Sequence, residues 1–302
     1  MERIMSMRFI VLGDMHYNVP TGPGLKTSRD IFFGGLFEQI AARTPDLVFA
    51  IGDTTDTGII AELNSQTALA QRFGINLVRL MGNHDSDTLE KSEIAPFFLG
   101  DHQPVNEDAV YACFDSDATR FIMLDTTRSR SPDNWSGVVP DSELAWLADR
   151  IEEYNRTTSL RHLVVMGHHP LTNTTDRSDI EWLNIDNSEE VRAIFNKLTR
   201  TPGLYINGHN HTNSLAGPDA YGWHYAQMGA PLACRSYGMF DIDENGIRFE
   251  TVDIDLGDPE FNKAYVTTRI SMGDVFNYYP FEVMYGGSND HRMEIPASKP
   301  VS

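Results

Sequence analysis

Residues 46–56 read DLVFAIGDTTD: an apolar run of strand length leads directly into a glycine and two aspartates. Four other stretches have the same form, RFIVLGD at 8–14, NLVRLMGNHD at 76–85, HLVVMGHH at 162–169 and LYINGHNH at 204–211. Short apolar runs bounded by glycine read as buried strands, and open α/β sheets carry their ligand-binding residues at the carboxyl ends of strands. The clusters GDMH, GDTTD, GNHD, GHH and GHNH therefore converge on one edge of a β core. Leu124-Asp125 and Gly229-Ala230-Pro231 are weaker companions of the same kind.

Working outward, residues 8–13 form the first expected strand, followed by a helix over 27–43, a strand over 47–51, a helix over 59–73 and a strand over 76–81. This alternation implies right-handed crossovers with helices covering the sheet. VYACFD and TRFIMLD read as a hairpin around DSDA. A helix follows over 141–154, with Leu144, Leu147, Ala148 and Ile151 on one face and Asp141 or Ser142 as its cap. Asn187 and Glu190 suggest a capping box for a helix ending near Thr201. WHYAQMG, SYGMFDID and IRFETVDID then read as antiparallel strands, the last two joined by a tight turn at ENG, 244–246. Residues 1–256 thus read as the catalytic domain, and 257–302 as a β-rich appendage or tail packed on it, a dimer contact or a lip over the site.

The 302 residues carry a formal charge of -19, which opposes binding to a long nucleic acid. A small anionic substrate remains compatible, because bound cations reverse the local sign of an acidic pocket. Cys113 and Cys234 are too few for a disulfide framework and read as buried small hydrophobes. The apolar segment from Phe9 to Leu12 is too short for a signal segment or a membrane span, so a cytoplasmic protein with no membrane association is expected.

The chemistry resides in the clusters. Asp14 and His16 lie two apart at a strand end, where a slight turn of the backbone directs both at one ion. Asp53 has two oxygens and a full charge with which to bridge two ions. The Asn83 carbonyl ligates without adding charge, His84 is free to donate a proton, and Asp85 is placed to hold the His84 ring. His168, His209 and His211 complete the ligand set. Adjacent strand residues point oppositely, which favours His168 over His169. Asp125 is a candidate support for a ligand, and Tyr17, Asn18, Arg128, Arg130 and Trp135 sit in loops within reach of the site.

In this order the motifs Asp14-Met15-His16, Gly52-Asp53-Thr54-Thr55-Asp56, Gly82-Asn83-His84-Asp85, Gly167-His168-His169 and Gly208-His209-Asn210-His211 resemble the calcineurin-like metallophosphoesterases. The resemblance covers roughly residues 8–256 and implies a four-layer αββα sandwich with two mixed sheets. It implies one ion among Asp14, His16, Asp53 and His211, and a second among Asp53, Asn83, His168 and His209, most readily Mn²⁺ or an Fe/Zn pair. FDSDATRFIMLDT, SELAWLADRI and VVMGHHPL resemble the bacterial cyclic-nucleotide and related phosphodiesterase branch, although Leu171 stands where that branch often has a second proline.

The expected reaction is hydrolysis of a small phosphodiester, with a metal-bridging hydroxide as nucleophile and His84 as general acid. The alternatives are a phosphomonoesterase or phosphoprotein phosphatase with the same site, or a metal-binding scaffold without turnover. A small phosphoester is the expected partner, and a homodimer through the C-terminal segment is compatible with the sequence.

Overall fold

The computed structural model describes residues 6–298 apart from 103, 106–108, 130–132 and 277–278. Its strands are β1 (Met7–Leu12), β2 (Leu47–Ile51), β3 (Leu77–Leu80), β4 (Ala112–Ser116), β5 (Thr119–Met123), β6 (His162–Met166), β7 (Gly203–Asn207), β8 (Ser214–Ala216), β9 (Trp223–Gln227), β10 (Ser236–Asp243), β11 (Gly246–Asp253) and β12 (Arg292–Pro296). The α-helices are α1 (Leu25–Ala41), α2 (Ile60–Gln71), α3 (Lys91–Ile94), α4 (Asp141–Arg156), α5 (Ser188–Phe195), α6 (Pro231–Cys234), α7 (Pro259–Ser271) and α8 (Phe281–Tyr285).

Alternation along the strands produces the layers. In β1, Phe9 and Val11 face a core shared with Phe49 of β2, Phe121 of β5, Val164 of β6 and Leu204 of β7, so this core lies between two sheets. Ile10 and Leu12, on the opposite face, pack with Phe32, Phe33 and Leu36 of α1 and Ala264 of α7. On the far side of the second sheet, Ile122, Val165 and Tyr205 meet Leu147, Ile151 and Tyr154 of α4 and Val191 of α5. The result is an αββα sandwich. Phe9 anchors its centre, stacked on Phe240 at 4.6 Å and edge-on to Phe121 at 5.5 Å.

The first sheet has the order β12-β11-β10-β1-β2-β3, and the second β4-β5-β6-β7-β9-β8. β1, β2 and β3 are mutually parallel, as are β5, β6, β7 and β9. Both sheets are mixed, because the pairs β1–β10, β10–β11 and β11–β12 are antiparallel in one, and β4–β5 and β8–β9 in the other.

Several local readings change. WHYAQ is β9 in the second sheet, antiparallel to β8 as expected but parallel to β7, whereas SYGMFDID and IRFETVDID form the hairpin in the first. No side chain caps α4 or α5; Pro140 precedes α4, and the Asn187 side chain holds both the N–H and the carbonyl of Val139. Helix α5 stops at Phe195, well before Thr201.

AYVTTRI at 264–270, within the segment expected to be β-rich, lies inside helix α7. Asp258 caps that helix by accepting from the Phe261 amide, and Pro259 presets its first turn. The β character of the C-terminal segment is confined to β12, which extends the first sheet beside β11. Cys113 is half-buried and Cys234 buried, both as free thiols. Among the described residues no helix is long and apolar enough to cross a membrane.

Candidate metal centre

The loops after β1, β2, β3, β6 and β7 meet at one edge, stitched by main-chain bonds from His16 N to Asp53 O (2.8 Å) and from Gly208 N to His168 O (2.9 Å). Four side-chain-bearing residues here take left-handed backbone: His16 (φ 44°), Asp53 (φ 43°), His209 (φ 69°) and His211 (φ 56°). Such conformations cost roughly 1–3 kcal/mol each and persist where surrounding structure enforces them. They turn successive side chains of each loop toward one point. Gly52 permits the tight approach of β2 to His168: at φ 96° it is strained for any side chain, and a Cβ there would lie 2.8 Å from His168 Cβ.

Asp14, His16, Asp53 and His211 form one group of ligand atoms within 4.8 Å of one another. His16 Nε2 lies 3.1 Å from His211 Nε2 and 3.7 Å from Asp53 Oδ2, while His211 Nε2 is 3.8 Å from Asp14 Oδ1. On the other side, His168 Nε2 lies 3.4 Å from the same Asp53 oxygen, 3.2 Å from Asn83 Oδ1 and 3.2 Å from His209 Nδ1. Asp53 therefore stands between two clusters, and all seven expected ligand side chains are brought together.

The tautomers follow from the remaining contacts. His168 Nδ1 faces the Ile51 carbonyl at 3.0 Å, and His209 Nε2 faces the Trp182 carbonyl at 3.1 Å, so each donates its N–H there. With His168 neutral, the two facing nitrogens would direct lone pairs at one another, an arrangement that either a proton on His168 or a shared cation relieves. His16 Nδ1 is buried without a hydrogen-bond partner, 3.5 Å from Asp56 Oδ1. The donor set of imidazoles, carboxylates and one amide carbonyl fits two divalent ions of borderline softness.

Electrostatics agree. Burial pushes His168 down, but Asp53 and then Asp14 more than offset it and hold the ring near about 9, so the carboxylates favour a positive charge at that point. Burial, followed by the charge of His168, lowers His209 to about 3, and burial with His16 lowers His211. These rings stay neutral, the state that ligates metal. Asp14 rises to about 7 through burial, while His168 and His84 keep Asp53 well below the usual carboxylate range despite its burial.

His84 sits edge-on to His16 with ring centroids 4.6 Å apart, and its side chain is 31% exposed. Its Nδ1 faces the Asp56 carbonyl at 2.9 Å and Asp87 Oδ2 at 3.6 Å, which leaves Nε2 to point elsewhere. Asp85 does not orient this ring. Its buried carboxylate accepts from Thr54 N, Thr55 N, Thr55 Oγ1 and Gly82 N, tying the Asp53 loop to the Asn83 loop. The sequence reading missed Asp56 and Asp87 as the partners of His84, because their roles depend on loop curvature rather than motif order.

His169 shares a cluster with His168 and His209, but both its ring nitrogens are engaged, Nε2 by the Trp135 carbonyl and Nδ1 by the Thr126 hydroxyl. Asp125 pairs with Lys91 at 2.7 Å. Tyr17 is fully buried against Asp30, the Asn18 carbonyl accepts from Arg29, and Arg128 is paired with Asp186. Arg130 lies outside the described residues. Phe276, from the C-terminal segment, packs its buried ring 5.3 Å from both His16 and His211. No motif announced it.

A family profile described as Calcineurin-like phosphoesterase matches residues 7–213. No curated protein matches the chain. Among solved structures, a dimetal phosphatase from Danio rerio is similar with a TM-score of 0.66 at 13% identity, covering 82% of this chain and 97% of that one. A purple acid phosphatase from yellow lupin (Lupinus luteus) seeds gives 0.61 at 15% identity, over 85% of this chain and 53% of the lupin chain. GAP50, the anchor in the inner membrane complex of Plasmodium, gives 0.53 at 13% identity, over 84% and 86%. At these identities the likeness is one of fold.

Proposed function

The chain belongs to the calcineurin-like phosphoesterase family, and from that premise we propose that it hydrolyses small phosphodiesters, cyclic nucleotides among them, at a dinuclear metal centre. Asp14, His16, Asp53 and His211 would hold one ion, and Asp53, Asn83, His168 and His209 the other. The observation that carries the dinuclear part of this reading is the position of Asp53 Oδ2, 3.7 Å from His16 Nε2 and 3.4 Å from His168 Nε2, between two groups of ligand atoms; the diester preference rests on the sequence resemblance. When bound, two such ions supply a nucleophile from water and neutralise the phosphoryl oxygens. The donor set suits Mn²⁺ or an Fe/Zn pair. Residues 1–256 would make the catalytic unit, and the described part of the following segment would close one flank with Phe276.

His84 is assigned as the general acid. The Asp56 carbonyl fixes its Nδ1 proton, and the partial exposure of the ring leaves Nε2 available to a departing oxygen. His84→Ala should leave the metals bound and lower turnover of an alkyl ester by ~10²–10⁴, with a much smaller loss for p-nitrophenolate, which hardly needs a proton. Equal losses for both leaving groups would remove His84 from this role.

Phosphomonoester hydrolysis is the second reading, and Arg177 favours it. Its guanidinium donates to the Asn210 carbonyl inside the GHNH loop at 2.9 Å and stacks on Tyr279, so a cation stands beside the ligand loop. A panel of cyclic nucleotides, glycerophosphodiesters, nucleoside monophosphates and phosphopeptides at equal metal decides between the two. The diester reading expects the highest kcat/KM for a small diester. A monoester preference above about tenfold, roughly 1.4 kcal/mol of transition-state binding, overturns it. A scaffold without turnover would show no metal-dependent hydrolysis of bis-p-nitrophenyl phosphate that Asp53→Asn abolishes.

A further inference from the structure

We propose that Gln227 is a positioning residue for the metal centre: its buried amide holds the His209-Asn210-His211 loop in the shape that presents both histidines to the ions. The inference rests on the dinuclear reading and goes beyond it, because Gln227 lies outside the five clusters and acts through the loop rather than on a ligand side chain. It is the last residue of β9, which lies between β7 and β8 in the second sheet. Its partners across the sheet are Asn207, where β7 ends, and Ser214, where β8 begins. The connection from β7 to β8, residues 208–213, carries the two histidines and has to pass over the end of β9, where Gln227 stands.

The side chain is fully buried, and both ends of its amide are engaged. Oε1 accepts from Thr175 Oγ1 at 2.8 Å, Asn207 Nδ2 at 3.1 Å and Asn210 Nδ2 at 3.3 Å. Nε2 donates to the Thr212 hydroxyl at 2.7 Å, the Thr212 carbonyl at 3.1 Å and the Asp176 carbonyl at 3.3 Å. Donors converge on one end and acceptors on the other, which fixes the orientation of the amide. Asn210 stands between the two ligands and Thr212 directly follows His211, so Gln227 grips the loop on both sides of His211. His209 and His211 take left-handed backbone, φ 69° and 56°, a conformation that persists only where its surroundings enforce it. The Gln227 amide supplies that enforcement from beneath the loop, and the Arg177 guanidinium adds to it by donating to the Asn210 carbonyl at 2.9 Å. A buried polar network with its members paired rigidifies what it touches, here the main chain that aims two metal ligands.

Co²⁺ titration of the full chain, stripped of metal and followed by visible absorption at a temperature where every variant is folded, tests this without recourse to turnover. Gln227→Met keeps the length of the side chain and loses its hydrogen bonds. Gln227→Glu keeps the shape but sets an oxygen against the Thr212 and Asp176 carbonyls. In both variants at least one Co²⁺ should bind ~10–100-fold more weakly than in the wild type. Leu147→Ala, which loses packing between α4 and the outer face of the second sheet, controls for destabilisation alone and should keep the wild-type affinity. Wild-type affinity for both ions in a folded Gln227 variant, or an equal fall in Leu147→Ala, would overturn the inference. A wild type that takes up no more than one Co²⁺ defeats the dinuclear reading and the inference with it, an outcome distinct from two ions held equally well with and without the Gln227 amide.

Discussion

Replacing Asp85 by Asn tests whether this residue braces the centre or takes part in its chemistry. The carboxylate is buried, 1% exposed, with Oδ1 accepting from Thr55 N (2.8 Å) and Thr55 Oγ1 (2.7 Å), and Oδ2 from Thr54 N (3.2 Å) and Gly82 N (2.9 Å). An amide of the same shape puts an NH₂ against one of these donor pairs, and each stranded buried donor costs about 1–3 kcal/mol. Removing the charge returns part of this, because burial and then the charge of Asp53 already lift the carboxyl to about 6. The net expectation is a loss of ~3 kcal/mol. At an unfolding entropy of roughly 2.1 cal/mol/K per residue, that corresponds to a fall in Tm of ~5 °C for a chain of this length. Unfolding should be followed by circular dichroism at pH 8 in chelator, which removes stabilisation by bound metal. A Tm within ~1 °C of wild type, together with a large loss of turnover, would refute the bracing role.

Gly52→Ala should lower stability by at least ~2 kcal/mol and reduce metal content by elemental analysis, since φ is 96° and the new Cβ would press on His168. An unchanged metal content would contradict the close packing of β2 on that ring. Phe276→Ala should cost ~3–5 kcal/mol as a fully buried ring is lost, and should weaken metal binding measured by calorimetry because His16 and His211 lose their common wall.

Burial lowers His162 to about 4, with the Asp243 carbonyl opposing this, so the unfolded chain binds the extra proton. Stability from this group is complete above ~6.5 and declines as pH falls toward about 4, by ~3 kcal/mol in all. His162→Gln should flatten that part of a denaturant-derived stability profile, and an unchanged slope would exclude His162 as its source.

The strand-end clusters were legible because buried parallel strands are near-continuous apolar runs, so Leu47–Ile51 and His162–Met166 declared both their extent and where the polar residues would emerge. Which face of each strand meets the other sheet was not legible. Phe9 and Ile10 are equally apolar, and only tertiary packing places one between the sheets and the other under α1. The partner of WHYAQ was hidden for a related reason, since a strand's pattern does not reveal whether its neighbour is parallel.

At the centre, residue types identified the groups that converge. Their supports are main-chain carbonyls of Ile51, Asp56 and Trp182, which every residue possesses and no motif marks. The composition of AYVTTRI, dominated by β-branched and aromatic residues, supports a β-rich C-terminal segment. Capping by Asp258 and packing against α1 override that propensity.

The central claim is that Asp53 joins two clusters into one dinuclear centre. Elemental analysis of protein purified without chelator, in the wild type and in Asp53→Asn, tests it most directly. Close to two ions per chain are expected in the wild type, with a marked loss from both positions in Asp53→Asn. A wild type holding no more than one ion per chain, or an Asp53→Asn variant that keeps both, would contradict it.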